Sequence, residues 1–150
     1  MEKTIIINSV EEMIEFGKKL GLNLGANSII GLEGDLGAGK TTLTKGIAKG
    51  LGINTIINSP TFTIMKIHHG VLNLYHLDVY RLEHGQDDFE LEEYFDAGGV
   101  CVIEWASHIK MLLPNEMLWI TITTKSKTKR FLTIKAQGDY YISLMKKVFL

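Results

Sequence analysis

One segment of eight residues constrains this chain more than any other. Residues 34–41 read GDLGAGKT and match the phosphate-binding pattern G-x-x-x-x-G-K-[ST]. An apolar run at residues 28–32 precedes the segment, and a helix-like stretch at residues 42–51 follows it. In such a strand, loop and helix, the loop glycines turn backbone N–H groups towards phosphate oxygens, and the helix N-terminus adds its positive end. The sequence therefore predicts a nucleotide-binding loop, which we call the P-loop.

Two side chains of the P-loop have predicted roles. Lys40 can reach the outer phosphates of a nucleotide, and the hydroxyl of Thr41 can be a ligand of Mg²⁺. A chance match is the alternative, because the chain contains 15 glycines. The strand before the loop and the helix after it argue against chance.

Composition predicts an ordinary globular protein. The chain has 150 residues, of which 45% are hydrophobic and 22% charged, and we expect one domain over residues 1–150. The net charge of −1 gives no bulk basicity that would favour nucleic acid or a membrane. The single cysteine, Cys101, excludes an internal disulfide, and its apolar surroundings predict a core position. Because we find no signal sequence and no apolar span of 18 residues, we expect a cytoplasmic protein without membrane contact.

The rest of the chain predicts alternating strands and helices. Ser9 and Glu12 have the spacing of a capping box for a helix whose apolar face includes Val10 and which Gly21 can end. Only three residues separate two strand-like runs at residues 63–67 and 71–77, so these runs form an antiparallel hairpin. Further strands are predicted at residues 4–7, 100–103, 118–123 and 131–134, and further helices at residues 83–96, 106–113 and 139–150. The predicted fold is an α/β, three-layer P-loop NTPase domain with a mixed, mainly parallel sheet and antiparallel hairpin additions.

Two acids end apolar strands, where a P-loop enzyme places the carboxylate that organises its metal. Asp78 follows the second strand of the hairpin, and Glu104 closes the run at residues 100–103. One acid can organise the metal while the other orients the attacking water. The structural alternatives are a pair between Asp78 and Arg81, and a contact of Glu104 with a helix N-terminus. Threonines in the loop at residues 58–63 can sense the γ-phosphate, or can simply belong to a turn.

Four blocks in this order identify the chain as similar to one bacterial family. They are the P-loop, Ser59-Pro60-Thr61-Phe62, His76-x-Asp78-x-Tyr80-Arg81 and Ile103-Glu104-Trp105. Together they resemble the TsaE (YjeE) family, from the first strand to the last hairpin; the final helix has no motif to compare.

The resemblance implies a weak ATPase needed to make threonylcarbamoyladenosine in tRNA. Such a protein acts with the subunits TsaD and TsaB, contacts tRNA indirectly through them, and cycles or activates the complex without transferring the group itself. The implied catalytic residues are Lys40, Asp78 and Glu104, and the implied metal ligands for Mg²⁺ are Thr41 and Glu104, with Asp78 as the second acid. The implied binding residues for ATP or ADP are Gly37, Ala38, Gly39, Lys40, Thr41 and Thr42, with Ser9 and Arg130 at the nucleotide's periphery.

The arginine content independently fits a partner-dependent ATPase. Arg81 and Arg130 are the only arginines among 16 basic residues. An arginine finger raises turnover by roughly 10³ to 10⁵-fold, so an enzyme without one in place is slow alone.

Other functions remain open from the residues. A small-molecule kinase uses the same P-loop but usually needs a lid that carries arginines, and this chain has only two arginines. A GTPase would carry the Asn-Lys-x-Asp pattern, which is absent. The five bases at residues 125–135 can contact tRNA phosphates, or can form a solvated face like that of the seven acids at residues 83–96.

Overall fold

The computed structural model describes residues 1–60, 64–82 and 91–149. The strands are β1 (Glu2–Ile7), β2 (Ser28–Glu33), β3 (Met65–His68), β4 (Leu74–Asp78), β5 (Val100–Glu104), β6 (Met117–Thr124) and β7 (Arg130–Gln137). The α-helices are α1 (Val10–Asn23), α2 (Lys40–Gly50) and α3 (Asp139–Val148). Short 3-10 helices cover Tyr80–Leu82, Leu91–Asp96 and Ala106–Leu112.

The strands form one sheet in the order β1-β7-β6-β2-β5-β4-β3. β2 pairs in parallel with both β5 and β6, and β5 pairs in parallel with β4. The hairpins β3–β4 and β6–β7 are antiparallel, and β1 joins β7 in antiparallel register. β1, β2, β4, β5 and β6 therefore run in one direction and β3 and β7 run against them. The predicted mixed, mainly parallel sheet with antiparallel hairpins is confirmed.

Two apolar layers sandwich the centre of the sheet. One core cluster packs the inner faces of α1, α2 and α3 against the strands, and a second packs the 3-10 helices against the opposite face. β2 and β5 are buried between these layers on both faces, which is why their sequences are almost continuously apolar. This burial fixes the strand ends that carry the P-loop and Glu104.

The sequence predicts that helix α1 ends at Gly21, but the helix continues to Asn23. Glycine is required there for close packing: a Cβ on Gly21 would collide with the carbonyl oxygen of Ile47 in α2. At Gly17, one turn earlier, a Cβ would lie 2.6 Å from the carbonyl oxygen of Leu43. These glycines therefore bring α1 against the helix that follows the P-loop.

Three other sequence predictions differ from the structure in the face or the bounds of an element. Val10 is 61% exposed and does not belong to the apolar face of α1. β4 begins at Leu74 and not at residue 71, because residues 70–72 form a bend before the strand. The acidic segment forms a 3-10 helix at Leu91–Asp96, while residues 83–90 lie outside the described residues.

Cys101 is buried in the second core cluster, as predicted. Burial raises the pKa of its thiol to about 12. Among residues 1–60, 64–82 and 91–149, no helix has both the length and the apolar character needed to cross a membrane.

Candidate functional site

The P-loop connects the carboxyl end of β2 to the first turn of α2. Gly37 and Gly39 have φ values of +79° and +117°, a region that side-chain-bearing residues rarely adopt. Gly39 is also the N-cap of α2 and makes no side-chain capping hydrogen bond. No side chain at the N-cap therefore occupies the N–H groups of the first helical turn. Free N–H groups of this kind are what a helix N-terminus uses to bind an anion.

A cavity of about 300 Å³ opens above the P-loop. Its described lining residues are Leu36, Gly37, Gly39, Lys40, Thr41, Thr42, Ser59, Asp78, Glu104 and Trp105. Most of the residues predicted from the sequence to bind phosphate or metal therefore meet around one cavity.

Lys40 lies folded back onto the loop. Its Nζ donates hydrogen bonds to the carbonyl oxygens of Gly34 and Asp35, the latter at 3.1 Å, and lies 4.2 Å from the centre of the Trp105 ring. Burial lowers the pKa of Lys40, and nearby carboxylates, first Glu104, act in the opposite direction. The ammonium group thus lies against the loop itself, held by two backbone carbonyl oxygens.

Thr41 and Glu104 face each other at the floor of the cavity. Thr41 Oγ1 donates to Glu104 Oε2 at 3.2 Å and lies 3.4 Å from Oε1. Glu104 is the last residue of β5 and pairs in register with Leu32 of β2, so it lies directly beside the strand that carries the P-loop. Glu104 is buried, with 3% of the residue exposed. Its second hydrogen-bond partner is the buried His76, whose Nε2 lies 2.5 Å from Oε2.

Asp78 lies one strand further from the P-loop and is half-buried. Its Oδ1 accepts the backbone N–H of Tyr80 at 3.0 Å, and its Oδ2 accepts the hydroxyl of Ser59 at 3.4 Å. Arg81 is exposed and makes no ion pair with Asp78 in the described part of the chain. In the described part of the chain, Asp78 thus lines the cavity without a hydrogen bond to Thr41, whereas Glu104 accepts one from Thr41.

The donor set at Thr41 and Glu104 fits Mg²⁺. A hydroxyl and a carboxylate supply oxygen ligands, and Mg²⁺ commonly takes one or two such protein ligands together with waters and substrate phosphates. Across the described ranges, no group of three or more His, Cys, Asp and Glu side chains could hold a metal by itself. This arrangement suits a metal that arrives with a nucleotide better than a permanent protein-only site.

Ser9 and Arg130 do not line the cavity, and of the two only Arg130 contacts the P-loop among the described residues. Ser9 caps α1, its hydroxyl accepting the N–H of Glu12 at 3.1 Å. The other half of the predicted capping box is shifted, because the Glu12 carboxylate accepts the N–H of Asn8 at 2.6 Å. Arg130 Nε donates to the carbonyl oxygen of Ala38 at 2.9 Å, within the P-loop.

A larger cavity, of about 640 Å³, opens at the other end of the parallel strands, near the start of β2. The charged side chains that line it are Glu92, Asp96 and Glu116. An acidic lining repels phosphate, so the smaller cavity at the P-loop is the candidate nucleotide site.

Three lining or supporting residues were not assigned a role from the sequence. Ser59, His76 and Trp105 all fall within the family-like blocks, so a signal was present, but their contacts depend on strand order. Trp105 adopts a left-handed conformation (φ +62°) directly after Glu104, which turns the chain out of β5 and into the next 3-10 helix. Its ring contacts Tyr80 and His108 at centroid distances of 4.9 and 5.5 Å. Thr61 and Thr63, the proposed γ-phosphate sensors, lie outside the described residues.

Comparisons with known proteins give the same family over most of the chain. Residues 7–132 match the family model described as threonylcarbamoyl adenosine biosynthesis protein TsaE. A tRNA threonylcarbamoyladenosine biosynthesis protein TsaE from Bacillus subtilis is 52% identical over 121 residues, covering 80% of this chain and 77% of that protein. One from Treponema pallidum is 39% identical over 137 residues, covering 86% of this chain and 97% of that protein.

A solved structure extends this similarity to three dimensions. The crystal structure of YdiB from Bacillus subtilis superposes with a TM-score of 0.88 at 40% sequence identity, covering 99% of this chain and 94% of that one. A P-loop fold of this kind implies nucleotide binding. With a family model matched over residues 7–132 and relatives similar over most of their length, the chain belongs to the TsaE family.

Proposed function

We propose that this chain is a single P-loop ATPase domain that serves threonylcarbamoyladenosine formation in tRNA. The contact of 3.2 Å between Thr41 Oγ1 and Glu104 Oε2 carries the proposal. It joins the two kinds of oxygen ligand with which a P-loop ATPase holds Mg²⁺, at the floor of a cavity whose wall is the phosphate-binding loop. The names of the Bacillus and Treponema relatives support the link to tRNA modification.

In this proposal the loop residues bind the phosphates of ATP or ADP. Backbone N–H groups of the P-loop and of the first turn of α2 surround the phosphate oxygens, and Lys40 moves from the Gly34 and Asp35 carbonyls to the outer phosphates. The proposed binding residues are Gly37, Ala38, Gly39, Lys40, Thr41 and Thr42, with Ser9 and Arg130 at the periphery of the nucleotide.

The two acids divide the remaining work. Thr41 and Glu104 would hold Mg²⁺, which neutralises charge on the β- and γ-phosphates. Asp78, on the same side of the sheet and half-buried, would be the second acid and orient the attacking water. Its position one strand beyond Glu104 supports this division, because only Glu104 is beside β2.

The isolated domain is expected to hydrolyse ATP slowly. Arg130 has its Nε on Ala38 and its Nη1 on the carbonyl oxygens of Ser126 and Lys129, at 2.7 and 3.1 Å, so these donors are already engaged. Arg81, the other arginine, is exposed. We propose that TsaD and TsaB complete the site when they dock in the cytoplasm, and that contact with tRNA is indirect through them.

Phosphate release by the wild type, Lys40→Ala and Glu104→Ala, with and without TsaB and TsaD, tests the proposal. Lys40→Ala is expected to lose affinity for nucleotide, whereas Glu104→Ala keeps nucleotide but loses turnover. The wild type should be stimulated by the partner subunits; full activity alone would contradict the partner-dependent cycle. Turnover that survives in Glu104→Ala would move the main metal role to Asp78. Release of phosphate without any added acceptor separates an ATPase from the small-molecule kinase alternative.

A further inference from the structure

A buried histidine lies beside the two strand-end acids and has no part in the chemistry described so far. His76 is the third residue of β4 and is fully buried. Because side chains alternate along a strand, His76 shares its face with Leu74, which packs in the core cluster beneath α2, and with Asp78. Asp78 pairs in register with Glu104 of β5, which places His76 diagonally across from Glu104.

The imidazole of His76 has one polar partner in the described residues. Its Nε2 lies 2.5 Å from Glu104 Oε2, and since a carboxylate only accepts hydrogen bonds, Nε2 carries the proton and donates. Its Nδ1 is buried without a hydrogen-bond partner in the same part of the chain. Packing does not account for an imidazole at this position, because an apolar ring of similar size would leave no buried nitrogen unpaired.

The hydrogen bond restricts the Glu104 carboxylate. Oε2 accepts hydrogen bonds from both His76 Nε2, at 2.5 Å, and the Thr41 hydroxyl, at 3.2 Å. Oε1 has only the longer Thr41 contact of 3.4 Å among the described residues. The terminal torsion of a glutamate is broad on its own, so two donors on one oxygen select one orientation. Metal-ligating carboxylates are commonly held by such an outer hydrogen bond.

We propose that His76 is a positioning residue for the metal. It holds Glu104 in the orientation in which Glu104 and Thr41 receive a divalent cation bound to the nucleotide phosphates. His76 itself touches neither the cation nor the nucleotide. The inference rests on the proposed function, since it needs a metal between Thr41 and Glu104.

Three histidine variants test this role. His76→Phe keeps a ring and removes the donor, and His76→Gln returns an N–H group at a similar reach. The matched control is His68→Phe, because His68 on β3 also has a buried, unpaired ring nitrogen but bonds to Thr55 rather than to Glu104. For each protein, electron paramagnetic resonance measures Mn²⁺ binding to the complex with ADP, and titration in EDTA measures ADP affinity without metal.

We expect His76→Phe to weaken Mn²⁺ binding by about 10- to 100-fold, the usual effect of losing an outer-sphere partner. ADP affinity in EDTA should be unchanged, His76→Gln should recover most of the Mn²⁺ affinity, and His68→Phe should bind Mn²⁺ like the wild type. A purely structural role predicts instead that both affinities fall together in His76→Phe and that His76→Gln rescues neither.

The outcomes separate this inference from the proposed function. If Glu104→Ala loses Mn²⁺ while a folded His76→Phe binds it as the wild type does, the positioning role is overturned and the metal site stands. If Glu104→Ala binds Mn²⁺ as the wild type does, the proposed metal site itself fails. Should His76→Phe not fold, ¹H–¹⁵N spectra of the wild type decide: a slowly exchanging ring N–H that shifts when Mg²⁺ and ADP are added supports the role. A ring N–H that exchanges freely and does not respond overturns it.

Discussion

Arg130→Ala should weaken ATP and ADP binding equally. The guanidinium braces the P-loop, because Nε donates to the carbonyl oxygen of Ala38 and Nη1 holds the turn that precedes β7. A hydrogen bond from a charged donor contributes about 1.5–3 kcal/mol, and partial exposure of Arg130 reduces this to about 1–2 kcal/mol. Without this bond the free loop must be ordered again when a nucleotide binds, so the affinity should fall by at most this free energy, which is up to about 30-fold. Because the bond is to the loop and not to the γ-phosphate, the loss should be the same for both nucleotides.

Calorimetric titration of the wild type, Arg130→Ala and Lys129→Ala with each nucleotide measures the effect. Lys129 is an exposed neighbour that also carries a positive charge, so Lys129→Ala controls for general electrostatics and should bind nearly as the wild type does. A loss in Arg130→Ala confined to ATP would refute the bracing role and assign the guanidinium to the γ-phosphate. An equal loss in Lys129→Ala would show that charge alone is responsible.

Two further predictions concern the packing around the site. Gly17→Ala should lower the free energy of unfolding by about 1–3 kcal/mol, because its Cβ would lie 2.6 Å from the Leu43 carbonyl oxygen. Urea unfolding measures this loss, with Lys19→Ala at an exposed position of the same helix as the control. A stabilised Gly17→Ala would show that α1 and α2 are not in close contact. Cys101 should resist alkylation in the native protein at pH 8. Burial raises the pKa of its thiol from an ordinary value of 9.0 to about 12, which lowers the reactive thiolate fraction about 10³-fold. Rapid labelling of the native protein would contradict this burial.

The nucleotide loop and the two acids could be predicted because their signals are local. The P-loop pattern, the apolar run before it and the helix after it are contiguous in the sequence, and Asp78 and Glu104 each end an apolar run. Which acid meets Thr41 could not be predicted locally. That depends on β5 pairing with β2 while β4 lies one strand further out, an arrangement set by packing between distant segments.

The features that sequence reasoning missed depend on contacts between segments that are distant in the sequence. Gly21 looked like a helix end because glycine commonly ends helices, but here it permits the contact between α1 and α2, which no local pattern shows. His76 has a signal in strand alternation, since it lies two residues before Asp78 and so on the same face. Its partner Glu104 is 28 residues away in the sequence, and only the parallel pairing of β4 and β5 brings the two together.

A double-mutant cycle between Thr41 and Glu104 tests the central claim most directly. Magnesium-dependent phosphate release would be measured for the wild type, Thr41→Ala, Glu104→Ala and the double variant, with TsaB and TsaD present. If the two side chains hold one Mg²⁺, their effects are not additive, and the double variant should lose about as much activity as the more severe single variant. Additive losses would contradict a shared metal site.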